Sequence, residues 1–320
     1  MEIRMLCFQV IQTLVVLVLS PLISGIMTKA KAMVQSKRGP SIFQPYYDMW
    51  KFMRKEVVAP SSVSIIFHLA PAIAFSCYII LSMVLPIVTG YPLPFAPTVD
   101  FLGGAFLFIM AGVISVIAVT RTGSFYTTIG ASRAISFAAL AEPTLIIVFF
   151  GVALITSTNN PFITTQVLST QVNWILSPTH LLIIASFFML LLFETGKIPV
   201  EAEGLMELGM LDEAKLMEYS GIQYAIVKWG SYMKQFIFMS IFLNIFTFPW
   251  GVAMGYSVIS IGIGIISLIV KMLFLIGALV IVEETFAKLK LFKILDYLAI
   301  SFSLALLSIF SFFLFGGIAP

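Results

Sequence analysis

The chain has 320 residues, 60% hydrophobic and only 10% charged, with a net charge of +3 and a mean hydropathy of +1.07. Soluble domains carry roughly 25% charged residues, so a soluble globular fold is excluded and lipid is the required solvent. A nucleic-acid partner is excluded too, because no basic stripe stands apart from the membrane-flanking loops. Cys7 and Cys77 lie in apolar runs without CxxC spacing or a nearby His pair, which makes them packing residues rather than a metal or disulfide pair.

A helix crosses the hydrocarbon in about 20 apolar residues. Eight runs qualify: Met5–Met27, Ile65–Val88, Phe101–Thr120, Ala134–Thr156, Ser177–Phe193, Gln235–Trp250, Val252–Val282 and Ile294–Gly317. The sixth has an alternative start near Ile222. The first lacks a basic start before a short apolar core, since Glu2 precedes Arg4, and it reads as a retained helix rather than a signal peptide. The predicted fold is one all-α membrane domain over residues 1–320, with about eight transmembrane helices plus cytoplasmic amphipathic helices.

Lys and Arg set the orientation. They crowd the loop after the first run (Lys29, Lys31, Lys37, Arg38, Lys51, Arg54, Lys55). They recur after the third (Arg121, Arg133), around the loop after the fifth (Lys197, Lys215, then Lys228 and Lys234) and after the seventh (Lys288, Lys290, Lys293). The alternate loops hold none. The expected placement is a multi-pass protein of the cell (inner) membrane with both termini on the outer face.

Two cytoplasmic loops exceed simple connectors. In the first, 28–64, Tyr46, Met49, Trp50 and Met53 share one helical face, while Asp48, Lys51 and Lys55 share another. Pro45 suits the helix start. This is an amphipathic helix in the bilayer interface, serving either as a lipid anchor or as a platform for a soluble partner. In the other, 194–221, seven acids (Glu194, Glu201, Glu203, Glu207, Asp212, Glu213, Glu218) meet only Lys197 and Lys215. A solvated acidic loop is one reading. The interspersed apolar residues favour a folded, partly buried segment, in which crowded carboxylates hold protons near neutral pH as a relay or bind a cation.

Within the spans Glu142 is the clearest ionisable group. It lies about eight residues into the fourth run, roughly 12 Å along a helix, and Pro143 directly after it favours a bend. An intramembrane carboxylate is a functional candidate, with a salt bridge to a neighbouring helix as the alternative. Lys271, in the seventh run, is a second candidate. Glu283, Glu284, Asp296 and His68 lie near run ends and are weaker signals. No Walker loop, GxGxxG, CxxC cluster or serine triad is present, so any electron chemistry belongs to another subunit.

Four segments together resemble a known family: Lys37-Arg38-Gly39-Pro40 through Gln44-Pro45, Asp48 and Lys51 to Lys55-Glu56; His68-Leu69-Ala70-Pro71; Gly130-Ala131-Ser132-Arg133 through Ala141-Glu142-Pro143; and Glu194-Thr195-Gly196-Lys197-Ile198-Pro199-Val200 through Glu218-Tyr219-Ser220-Gly221. They look like subunit 1 (the bacterial H subunit) of respiratory complex I and its relatives in membrane-bound hydrogenases. The short stretch from Gly39-Pro40 to Gln44-Pro45, and Gly196-Lys197 in the acidic loop, are closer to the hydrogenase-type branch than to quinone-reducing members. The resemblance implies a membrane anchor under a peripheral redox arm, linking a ferredoxin-linked hydrogenase or sulfur reductase to H+ or Na+ translocation.

The resemblance also implies roles. Glu142 is the buried relay carboxylate. Glu201, Glu203, Glu207, Asp212 and Glu213, flanked by Glu194 and Glu218, form the mouth of the ion pathway; Lys271 is placed on that pathway by its position within a span and not by the resemblance. Arg38, Asp48, Lys51 and Arg133 meet the peripheral arm. The implied partners are peripheral iron–sulfur and hydrogenase-like subunits, antiporter-like membrane subunits and the lipid bilayer. The chain itself has no cofactor or metal; iron–sulfur clusters, and nickel–iron for a hydrogenase, belong to the partners. Rival readings are the quinone-chamber subunit of complex I proper and a stand-alone secondary transporter.

Overall fold

The computed structural model describes residues 2–60, 63–170, 174, 177–198, 215–253, 255, 257–285 and 293–315. Every predicted run carries a helix. Six helices are long and apolar enough to cross a membrane. They are α1 (Glu2–Val34), α3 (Ile65–Val84), α4 (Phe101–Thr120), α5 (Phe125–Thr156), α9 (Val258–Thr285) and α10 (Lys293–Phe315). The amphipathic α2 (Gln44–Met53) and a short α6 (Pro161–Thr170) join them. Helix α7 (Pro178–Glu194) has 17 residues and spans about 26 Å, just under a hydrocarbon core of about 30 Å. Helix α8 (Gly221–Ile241) carries Lys228 and Lys234 and runs directly into a π-helix, Phe242–Thr247. The chain is an all-α, multi-pass membrane protein.

Helix ends depart from the apolar runs for local reasons. Helix α3 stops at Val84 rather than Val88, since Pro86 holds Leu85 extended (φ −92°, ψ 146°). Helix α5 begins at Phe125, nine residues before the expected start, so Arg133 is helical rather than in a loop. Hydropathy marks where a helix meets lipid, whereas its backbone hydrogen bonds continue into the interface. Helix α8 starts at Gly221, next to the alternative near Ile222, and α9 starts at Val258 rather than Val252. Helix α6 was not expected. Its start follows from the Asn160 side chain accepting from the Phe162 amide (3.0 Å) with Pro161 in the first turn.

Helix α4 lies between α3 and α5, and α10 packs on α5 and α7. Helix α8 is flanked by α1, α2 and α3, and α9 lies against α1. Aromatic pairs join the layers, with ring centroids 4.6 Å apart for Phe187 and Phe246 and 4.5 Å for Phe108 and Phe238.

The amphipathic α2 lies across α8 and α1. The predicted aromatic face divides: Met49 is buried, whereas Trp50 is 59% exposed with Arg54 over its ring. Gly25 lets the α1 backbone meet the carbonyl of Ile42, where a Cβ would collide with the oxygen. The end of the acidic loop is fastened to the first loop. Ser220 Oγ accepts from the Val58 amide and donates to its carbonyl (both 2.7 Å), and Tyr219 stacks on Phe67 at 4.3 Å. Gly221, at φ +53°, fits beneath the carbonyls of Lys55 and Glu56, each 2.7 Å from where a Cβ would lie. The first loop and the end of the acidic loop are therefore joined.

Candidate functional site

Glu142 projects from α5 into a cavity of about 470 Å³ walled by α4, α5, α8 and the end of α7. Pro143 lies inside a helix assigned without a break over Phe125–Thr156. Lacking an amide proton, it cannot donate to the Ala139 carbonyl, and Ala139 lines the same cavity. A carboxylate and a backbone left one hydrogen bond short thus meet one space at membrane depth.

The other charged groups converge from distant parts of the chain. Glu194, the last residue of α7, forms an ion pair with Lys234 of α8; their side chains are 17% and 30% exposed. Both lie within electrostatic reach of Glu142. Lys215, just before α8, lines the cavity as well. A second cavity of about 210 Å³ lies against α3, with Pro71, Phe75 and Tyr78 on one wall and Lys228 and Tyr232 on another. Glu194, Lys215, Lys234 and Gly112 border both spaces. The Glu194–Lys234 pair therefore stands at the boundary between them, and polar cavities of this size accommodate water. Tyr219, which lines the second cavity, is buried, and burial pushes its phenol far above the ordinary value.

Of the predicted pathway residues, Glu142 and Glu194 are brought together. Glu201, Glu203, Glu207, Asp212 and Glu213 lie outside the described residues. Glu218 is half-buried and lines neither cavity. Lys271 also lies apart from both. Its ammonium donates to Asn244 Oδ1 (3.0 Å) and the Phe248 carbonyl (2.8 Å), bracing the end of the π-helix.

Among the predicted contact residues, Arg38 is exposed, Asp48 lies 3.9 Å from Lys51 on α2, and Arg133 lies on α5 about two and a half turns before Glu142. Sequence reasoning counted Lys215 and Lys234 only as loop-flanking bases. The available signal was a lysine beside the start of an apolar run with an alternative, earlier start. Among the described residues no group of three or more His, Cys, Asp or Glu side chains is placed to hold a metal ion.

Residues 7–314 match the family described as NADH dehydrogenase. Formate hydrogenlyase subunit 4 of Escherichia coli K12 is 32% identical over 290 residues, covering 89% of this chain and 91% of that protein. Hydrogenase-4 component C of the same organism is 32% identical over 302 residues, 94% of each. NADH-ubiquinone oxidoreductase chain 1 of Papio hamadryas is 29% identical over 226 residues, 67% of each. A chain in the solved structure of the membrane-bound sulfane sulfur reductase, an archaeal respiratory membrane complex, shares the fold with a TM-score of 0.76. At 20% identity it covers 97% of this chain and 98% of that one.

Proposed function

The chain belongs to the NADH dehydrogenase family, and from that premise we propose that it is the membrane-anchor and ion-coupling subunit of a multi-subunit, ferredoxin-linked respiratory oxidoreductase of the membrane-bound nickel–iron hydrogenase or sulfur-reductase type. The observation that carries this reading is the meeting of Glu142, Glu194 and Lys234 around one cavity inside a bundle of membrane helices. An isolated charge at that depth is costly, so the three groups work as a set. Lys234 balances one carboxylate, and the other can take up and release a proton as water reaches it from the boundary between the cavities. The chemistry fits a relay and offers nothing to carry electrons.

The relatives' names, subunit and component of hydrogenase and formate hydrogenlyase, support an assembled complex. In this reading iron–sulfur clusters, and nickel–iron for a hydrogenase, reside in peripheral partners seated on the joined loops around α2 and Tyr219. Arg38, Asp48, Lys51 and Arg133 contribute to that contact. Antiporter-like membrane subunits receive the ion route. The acids at 201–213, with Glu218, form its cytoplasmic mouth. The crowding of Lys and Arg into alternate loops supports both termini on the outer face of the cell membrane.

The test is composition. The tagged chain, extracted from native membranes in mild detergent, is expected to bring down a particle containing iron. Nickel alongside iron identifies a hydrogenase arm, and iron without nickel identifies a sulfur-reductase arm unless quinone copurifies, which would mark complex I proper. A chain recovered alone and free of metal in several detergents would contradict the assignment and point to a transporter.

A further inference from the structure

Gly112 stands well inside α4. Glycine is the poorest helix former after proline, and one kept inside a helix usually lets another element come close. Other helix glycines here fit that rule. A Cβ on Gly151 would stand 3.1 Å from Ile183, and one on Gly230 3.5 Å from Tyr78. A Cβ on Gly112 would meet nothing within 4 Å apart from its chain neighbours and its own helix backbone. Close packing therefore does not explain this glycine. What it does share is space: Gly112 borders both cavities, as do Glu194, Lys215 and Lys234.

Contacts between the helices fix what Gly112 faces. Phe67 stacks on Tyr219 at 4.3 Å and Phe75 meets Trp229 at 5.5 Å, so α3 and α8 run parallel. Leu81 lies beside Gly104, and Tyr78 lies 6.3 Å from Phe108, so α4 runs antiparallel to both. Phe108 of α4 and Phe238 of α8 then close the gap between those two helices, with ring centroids 4.5 Å apart. One turn from that contact, in the same direction, α4 presents Gly112 and α8 presents Lys234. A ring pair fills the gap at one level, and at the next a glycine stands level with the cation of the Glu194–Lys234 ion pair.

Resting on the relay reading above, we propose that Gly112 forms the neck of the proton route, where water from the smaller cavity passes the Glu194–Lys234 pair to reach Glu142. Two stripes of α4 meet at this residue: Ser115 and Val119 line the smaller cavity, and Ile109 and Val116 line the larger. No bond forms or breaks at Gly112. The side chain it lacks leaves room for the bridging water, and the ion pair supplies the polar partners that such a water needs.

The test uses the intact complex in proteoliposomes, with electron transfer started by a reduced viologen dye and membrane potential followed with an oxonol dye. Gly112→Leu, whose side chain fills the neck, is expected to retain iron content and electron transfer. The potential generated per electron is expected to fall about tenfold or more, as the loss of one bridging hydrogen bond implies. Gly112→Ala, which adds a single carbon, is expected to fall between. Gly277→Leu is the control: a Cβ there also meets nothing within 4 Å, but Gly277 borders neither cavity. A wild-type potential per electron from Gly112→Leu overturns the proposal, and so does an equal fall in Gly277→Leu.

A second measurement holds even if leucine prevents assembly. With Cys7 and Cys77 replaced by alanine, Gly112→Cys is expected to react with a water-soluble, positively charged methanethiosulfonate, because the thiolate is the reactive form and needs water to exist there. The reaction is expected to lower the potential per electron. An unreactive thiol, or a modified one that leaves the potential unchanged, overturns the proposal. Glu142→Gln separates the two levels. If it pumps normally, the relay reading itself has failed; if it stops pumping while Gly112→Leu pumps normally, the relay stands and the neck falls.

Discussion

Replacing Lys234 by methionine is expected to give a complex that assembles and passes electrons but translocates few or no ions. Lys234 is the cation of the Glu194 ion pair and lies within reach of Glu142. Without it two carboxylates share one space, and among the described residues Lys215 is the remaining cation lining that cavity. Removing one partner of a buried pair leaves the other uncompensated, while removing both is often neutral. With side chains 30% and 17% exposed, solvent screening reduces the stability loss of the single variant to roughly 1–3 kcal/mol. The double variant Lys234→Met with Glu194→Gln is therefore expected to regain the lost thermal stability but not translocation. Recovery of both would reduce the pair to a structural tie.

Asn244→Ala is expected to produce the largest loss of stability. Asn244 is buried in the π-helix, and its amide donates to the carbonyls of Pro86 (3.2 Å) and Ile87 (2.7 Å). Its oxygen accepts from Lys271. Those carbonyls need a partner because Pro86 ends α3 and removes the helical continuation that would satisfy them. The wider π-turn brings the asparagine within reach. The same crossing is fastened by Gln12, whose amide donates to the carbonyls of Ser82 (2.8 Å) and Leu85 (2.9 Å). Alanine would strip three hydrogen bonds, leave two buried carbonyls unpaired and leave Lys271 with only the Phe248 carbonyl. At about 1–3 kcal/mol per orphaned group, the expected loss is about 3 kcal/mol or more. A matching fall in Tm of about 5–10 °C is measurable on the purified particle. An unchanged Tm would mean that other groups satisfy the carbonyls of Pro86 and Ile87.

Much of this was legible in the residues themselves. Runs of apolar side chains locate helices because lipid leaves the backbone no other solution, and all eight runs carry one. Glu142 announced itself as a carboxylate beside a proline in an apolar stretch. The four motif segments pointed to the family that residues 7–314 match. What escaped was pairing across distance. Nothing local ties Glu194 to Lys234, forty positions away, or Lys31 to Glu283 at the far end of the chain. Asn244 was passed over because a single amide barely changes the hydropathy of its run, although in lipid its hydrogen bonds decide how two helices cross. Lys271 lies in the long apolar α9, and its contacts are with backbone and amide oxygens rather than with the Glu142 cavity.

The relay centred on Glu142 is tested most directly by the Glu142→Gln complex in proteoliposomes, with membrane potential and electron flow recorded together. Glutamine keeps the shape of the side chain and its neighbours' packing while removing the carboxyl group that the proposed relay requires. Electron transfer at the wild-type rate with no potential built is the expected outcome. A wild-type ratio of ions moved to electrons passed would remove Glu142 from the route and, with it, the reason for assigning ion coupling to this cavity.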